Sequence, residues 1–206
     1  MSRQIAIAAT AVVLAGLAGT YLATVAFKTD EFAQCRAGQV AGGDIGGPFT
    51  LIDETGATVT DVDVITTPSL IYFGYTFCPD VCPLDNARNA QAVEILEEQG
   101  IMATPIFVSI DPARDTSDVM AKFTDNFHDR MIGLTGSDEQ VAAASRAYRT
   151  FYQKEVDGDP EYYLVDHSTF TYLVLPGAGF MDFYRRDDSP EKIAGSVACF
   201  VEAAAN

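Results

Sequence analysis

The sequence predicts an α/β sandwich preceded by one N-terminal transmembrane helix, and three observations carry that prediction. Short apolar runs alternate with helical patterns between residues 69 and 152. Three more strand-like runs follow one another between residues 162 and 185 and lead into a last helix. Ile5 to Phe27 is 23 residues without a charge. Alternating strands and helices closed by an antiparallel meander make a layered α/β domain, and about 20 apolar residues suffice to cross a bilayer.

The apolar stretch sets the organisation. It exceeds the roughly 15-residue limit of a signal-peptide core and is neither Arg-rich nor amphipathic, so it reads as a bacterial inner-membrane anchor rather than a mitochondrial presequence. Ala23-Thr24-Val25-Ala26 offers small residues to a signal peptidase, and cleavage there is the alternative. Arg3 lies before the run and Lys28 directly after it, followed at once by Asp30 and Glu31; the free N-terminus together with Arg3 places the N-terminus in the cytoplasm and the domain in the periplasm. The expected division is residues 1–27 anchor, 28–47 stalk or linker, and 48–206 folded domain. With 206 residues, 48% hydrophobic and 20% charged, the chain is too apolar for disorder and suits one domain plus an appendage.

All 29 Asp and Glu follow Phe27, against 13 Lys and Arg, for a formal charge of -16. That excludes a nucleic-acid binder relying on phosphate attraction and argues against docking on an anionic membrane surface. An acidic face steers towards cations, metal ions or basic partner patches, or simply keeps the domain soluble; both readings are open here.

Within the domain, Gln39 to Pro48 is Gly-rich and turn-forming. Phe49 to Ile52 and Thr58 to Thr60 flank Asp53-Glu54-Thr55-Gly56, a hairpin with Gly at the positive-φ position. Ser69 to Tyr75 and Pro105 to Ile110 are continuous apolar runs, expected of strands buried on both faces. Beyond Pro83 the pattern is helical, with Leu84, Ala87, Ala90, Val93 and Leu96 at three-residue steps and Gly100 as the stop. Ser117 to Phe127 reads as a helix and Met131 to Leu134 as a short strand. Ser137 to Tyr152 reads as a helix opened by the Ser137-x-x-Gln140 capping box. Tyr162 to Val165, Thr169 to Leu175 and Phe180 to Arg185 read as strands, and Ser189-Pro190 starts the last helix.

An oxidising compartment can pair the four cysteines. Cys78 and Cys82 are local partners, which leaves Cys35 and Cys199 for a disulfide tying the stalk to the last helix. The closed loop is worth at most about 5 kcal/mol by chain entropy; two unpaired buried thiols are the alternative.

Cys78 and Cys82 sit four apart where a buried strand gives way to a helix, the position at which α/β folds expose reactive groups. If the helix begins near Cys78, one turn puts both sulfurs on one side, and its N-terminus favours thiolate, the nucleophile and the metal ligand. Redox exchange, metal binding and an inert staple are all compatible with C-x3-C. Soft thiolates select Cu(I), Zn or iron-sulfur clusters; a cluster lacks local cysteines, and closed zinc needs two more N or S ligands. The histidines are His128, at a helix end beside Asp129, and His167, at a turn between two predicted strands. Taken alone, each fits a solvated loop or cap; with either one, Cys2His is a three-coordinate site comfortable for copper.

The string Phe73-Gly74-Tyr75-Thr76-Phe77-Cys78-Pro79-Asp80-Val81-Cys82-Pro83 closely resembles the signature of the Sco/SenC family of membrane-anchored copper proteins. Ser109-Ile110-Asp111-Pro112-x-Arg114-Asp115-Thr116 and Val165-Asp166-His167-Ser168 resemble it further, and the likeness runs from about Gly46 to Phe200. The resemblance implies a thioredoxin-like three-layer sandwich with added β-hairpin elements. It implies a copper site, Cu(I) or Cu(II), of Cys78, Cys82 and His167, which selects His167 over His128. It also implies a role in maturing the binuclear copper centre of cytochrome c oxidase. Asp111, Arg114 and Asp115 match the family's acidic loop without a ligand role: Asp111 reads either as a residue behind the ligands or facing a partner, or as an ordinary strand-end and helix cap. Asp80 is placed to bond helix N–H groups or to tune the charge of copper. Cys35 and Cys199 fall outside these motifs.

Three functions follow as expectations. The first is a copper metallochaperone, not an enzyme, whose partners are the copper-bearing oxidase subunit and another periplasmic copper carrier or thiol reductant. The second is a thiol-disulfide oxidoreductase using Cys78 and Cys82 as a redox pair to keep the oxidase's copper-binding cysteines reduced. The third is a thioredoxin-like peroxidase, disfavoured because no Thr or Ser plus Arg arrangement surrounds Cys78.

Overall fold

The structure is a computed structural model that describes residues 31–36, 45–155 and 162–205, together with residues 13, 16, 19 and 20. The rest of the expected anchor, and most of the expected linker, lie outside the described residues. Among the described residues no helix is long and apolar enough to cross a membrane. The chain divides into two compact units, residues 1–34 and 35–206, and the second carries the sheet.

That sheet opens with a hairpin of β1 (Thr50–Asp53) and β2 (Thr58–Thr60), in which Thr50 pairs with Thr60. Its turn is closed by the Asp53 carboxylate, which accepts the Thr55 N–H at 2.8 Å, and by Gly56 at φ 84, a combination that suits a short side-chain acceptor followed by a residue without Cβ. A single helical turn, α1 (Asp61–Val64), follows, with Thr60 and Asp63 forming a capping box. Strands β3 (Ser69–Gly74), β4 (Thr104–Ser109) and β5 (Ile132–Thr135) run parallel, with Gly74 opposite Ser109 and Val108 opposite Leu134. β8 (Thr171–Leu175) pairs antiparallel to β3, and β9 (Gly179–Tyr184) antiparallel to β8. The spatial order is β2-β1-β5-β4-β3-β8-β9. Every residue of β3, β4 and β8 is buried, the reason these runs read as continuously apolar instead of alternating.

Helices supply the cover. α2 (Val81–Glu98) packs on α5 (Pro190–Ala204), α3 (Ser117–Thr124) on β5, and α4 (Asp138–Ala147) on β1. α5 buries Ile193, Ala194, Val197 and Phe200, four positions of one helical face. In the main core the Phe73 ring meets those of Tyr148 and Tyr172 at centroid distances of 5.4 and 6.0 Å. The Ser137 hydroxyl caps α4 by accepting the Gln140 N–H, and Ser189 caps α5 with Pro190 in its first turn.

The structure departs from the sequence reading at several ends. α2 begins at Val81, two residues ahead of Pro83; proline is tolerated there because N–H groups of the first turn have no intrahelical partner. Leu84 is 60% exposed, since three-residue steps drift about 60° around the helix each time and cannot all face the sheet. α3 stops at Thr124, three residues short of Phe127. α4 stops at Ala147: Arg149 takes φ 52, the Thr150 N–H bonds the Ser145 carbonyl and the Arg149 N–H that of Arg146, a helix-ending arrangement that usually employs Gly. α2 ends the same way with Gly100 at φ 79, which is why only the second helix end was legible. Tyr152, freed from α4, opens β6 (Tyr152–Lys154), which runs antiparallel to β7 (Val165–His167), with Tyr152 opposite His167. β7 therefore starts where the predicted strand Tyr162 to Val165 was to end, and His167 lies on a strand, not at a turn.

Candidate metal centre

Strand β3 ends at Gly74, and the chain turns so that the Cys78 N–H donates to the Tyr75 carbonyl at 3.2 Å. Cys78 precedes the helix and Cys82 lies in its first turn, so the sulfurs are not stacked along one helical turn. Instead the Cys82 N–H points at Cys78 Sγ, 3.4 Å away, one of the helix-end donors that favour an anion. Cys82 is fully buried and Cys78 is 6% exposed. The backbone at Gly74 makes room for them: a Cβ there would stand 2.9 Å from Cys82 Sγ and 2.8 Å from Phe107 Cε2.

His167 closes the group from the far side. Its Nδ1 lies 2.8 Å from the Ser168 carbonyl; a carbonyl only accepts, so Nδ1 carries a hydrogen and Nε2 is the ring nitrogen that faces the sulfurs. Nε2 is 3.4 Å from Cys82 Sγ. The ring is held edge-on by Tyr72 and Tyr75 at centroid distances of 6.2 and 5.9 Å. Ligand atoms of Cys78, Cys82 and His167 all lie within 4.8 Å of one another, and among the described residues no other group of three His, Cys, Asp or Glu is so placed. One ion with bonds of about 2.0–2.3 Å spans the 3.4 Å between Cys82 Sγ and His167 Nε2, and two thiolates with an imidazole form a soft donor set suited to copper or zinc.

The two sulfurs are electrostatically unlike. Cys78 is held far below the ordinary thiol range, mainly by the hydrogen bond from Cys82, helped by His167 and the backbone N–H groups of Asp80 and Cys82. Cys82 is pushed up, because it donates that bond and because it is buried. Beneath them the Tyr72 hydroxyl donates to Asp85 Oδ2 at 3.0 Å, and burial raises both groups. Arg88 and Arg186 flank Asp85 at 3.4 and 3.5 Å.

The other residues singled out from the sequence take distinct places. Asp80 is the N-cap of α2, but its side chain makes no cap hydrogen bond. His128 is neither solvated nor near the sulfurs: its side chain is 8% exposed, its Nε2 is 3.1 Å from Glu97, and its Nδ1 accepts the Arg130 N–H. Asp115 is buried and joins two segments, accepting from Thr76 Oγ1 and Ser109 Oγ, both at 2.6 Å. Asp111 accepts from Tyr163 Oη at 2.6 Å and pairs with Arg114. Cys35 and Cys199 are joined as a disulfide, with Cα atoms 5.6 Å apart. Sequence reasoning missed Gly74, Tyr72, Tyr75, Asp85 and Tyr163 as parts of the surroundings. A glycine inside a fully apolar strand is itself a sign of close approach, whereas the partners of the others lie too far along the chain to be read.

A dithiol turn at the start of a helix, set on a central β-sheet and completed by a third donor from a hairpin, defines a thioredoxin-like α/β protein able to hold a metal ion. Residues 37–202 match the SCO1/SenC family. The chain is 56% identical over 205 residues to Protein SenC of Rhodobacter capsulatus, covering 98% of this chain and 92% of that one. It superposes on the solved structure of Arabidopsis thaliana ScoI with copper bound at TM-score 0.72 and 37% identity, covering 77% of this chain and 99% of that chain. Yeast Sco1 with copper bound gives TM-score 0.70 and 34% identity over 80% of this chain and 90% of the other. The chain belongs to the SCO1/SenC family.

Proposed function

We propose that this protein is a periplasmic copper carrier, anchored in the inner membrane by residues 1–27, that holds Cu(I) or Cu(II) through Cys78, Cys82 and His167. Its cargo passes to the copper-bearing subunit of cytochrome c oxidase. Membership of a family of cytochrome c oxidase assembly proteins supports the destination, and the uncharged stretch Ile5 to Phe27 supports the anchor. The observation that carries the reading is the convergence of two sulfurs and an imidazole nitrogen within 4.8 Å, a donor set that leaves structural zinc one ligand short. Titration of the full-length chain with Cu(II), followed by thiolate-to-copper charge-transfer absorption, tests it. His167→Ala is expected to shift that absorption and weaken binding about tenfold or more; wild-type affinity with an unchanged spectrum would remove His167 from the site.

A second reading has its own support in the unequal sulfurs. A Cys78 thiolate beside a protonated Cys82 suits thiol-disulfide exchange. Cys78 attacks a partner disulfide and expels one partner thiolate. Cys82, losing its proton, then attacks Cys78, releasing the second partner thiol and leaving the pair oxidised by two electrons. Rescue of partner metallation by added thiol in a Cys82→Ser strain would favour this role over delivery.

A further inference from the structure

The Asp111-Pro112-Ala113-Arg114-Asp115 loop contributes no metal ligand, yet it is the place where the two halves of the centre meet. On one side is the cysteine turn. Asp115 holds it by accepting the Thr76 N–H at 3.1 Å and its hydroxyl at 2.6 Å, and the Arg114 guanidinium lies over the Phe77 ring, 4.7 Å from its centroid. On the other side is the segment leading into β7. The same guanidinium stacks on the Tyr163 ring at 3.7 Å and donates through Nη1 to the Tyr163 carbonyl at 3.0 Å. Asp111 braces both, pairing with Arg114 Nε and accepting the Tyr163 hydroxyl at 2.6 Å. The Tyr75 hydroxyl, which accepts the Val165 N–H at 3.3 Å, adds a parallel tie two residues before His167.

We propose that Arg114, braced by Asp111, is a positioning residue of the metal centre: by clamping the start of β7 onto the cysteine turn, it fixes the separation between the His167 imidazole and the two sulfurs and so sets how readily copper is given up. The proposal rests on the reading that Cys78, Cys82 and His167 hold copper. Its physical basis is the planar, delocalised guanidinium, which bonds edge-on to a carboxylate and a carbonyl while its faces stack on aromatic rings; a lysine ammonium cannot do both. Cys82 and His167 are far apart in sequence, and β7 is paired only with the three-residue strand β6 among the described residues, so the distance from imidazole to sulfur depends on side-chain ties of this kind.

The test is a double-mutant cycle on the full-length chain loaded with Cu(II). Release to excess EDTA is followed by the decay of the charge-transfer absorption, in wild type, Arg114→Gln, His167→Ala and the double variant. Arg114→Gln is expected to release copper about tenfold faster, the range seen when groups supporting a ligand are removed, and to add nothing once His167 is alanine. Arg114→Lys is expected to fall between wild type and Arg114→Gln. A readout without metal accompanies it: hydrogen exchange at the Val165 amide is expected to speed up in Arg114→Gln. Should Arg114→Gln not fold, Tyr163→Phe, which removes only the hydroxyl bond to Asp111, goes through the same cycle with the same sign expected. Equal acceleration with and without His167, or none in either background, overturns the positioning role while leaving the donor assignment standing. If His167→Ala itself releases copper at the wild-type rate, the donor assignment fails and the positioning role with it.

Discussion

Replacing Gly74 by alanine puts the packing beneath the sulfurs to the test. The added Cβ would stand 2.8 Å from Phe107 Cε2 and 2.9 Å from both Cys82 Sγ and Tyr72 Cε1, against ordinary contacts of about 3.5–4.0 Å. Each neighbour has to retreat by roughly 0.6 Å or more, and all three are fully buried, so none can swing into solvent. Overpacking of this kind costs about 1–3 kcal/mol, or a fall in melting temperature of about 2–12 °C for a domain of this size. It also drives Cys82 Sγ outwards by more than the ~0.5 Å within which a site tolerates displacement, so copper affinity is expected to fall about tenfold or more. The assay is thermal unfolding of the metal-free chain beside copper titration. Cys82→Ala in the Gly74→Ala background removes one of the three clashes and is expected to recover part of the lost stability. A Gly74→Ala protein with wild-type melting and an unchanged copper spectrum, or a double variant that recovers nothing, would refute the claim that the strand backbone supports the sulfur.

Two further outcomes follow from the cysteines. Because Cys78 is lowered and Cys82 raised, iodoacetamide at pH 5–6, where an ordinary thiol of pKa about 8.5 is almost inert, is expected to alkylate Cys78 while sparing Cys82; equal labelling of both would contradict the asymmetry. The signs for stability follow by linkage. The depressed Cys78 makes the metal-free protein more stable as pH rises from below neutrality towards the unfolded-chain value, and that gain is lost as pH falls through the folded value. The raised Cys82 reverses the trend above about pH 9, where the unfolded thiol ionises and the folded one does not. Replacing Cys35 and Cys199 by alanine removes a bond separated by 164 residues in sequence. It is expected to lower stability by no more than about 5 kcal/mol without changing the copper absorption, and an altered spectrum would mean that the disulfide shapes the centre.

The sequence by itself determined the elements whose signals are local. β3 and β4 were legible as unbroken apolar runs because both faces are covered, α4 began where its capping box said, and Gly100 ended α2 because only a residue at φ 79 completes that stop. It also determined the chemistry on offer, two cysteines at a strand-to-helix change, and the resemblance selected His167 from two histidines. What it did not contain was the encounter itself. Just past the end of α4, the turn at Arg149, a residue with no intrinsic preference for φ 52, releases Tyr152 to pair with His167. That pairing and Tyr163 over Arg114 join positions 15 and 49 residues apart, and Gly74 meets Cys82 only because the chain turns back after β3. Caps and turns are decided by neighbours a few bonds away; the distance from an imidazole to a sulfur 85 residues back is decided only when the whole sheet has closed and packing leaves one arrangement.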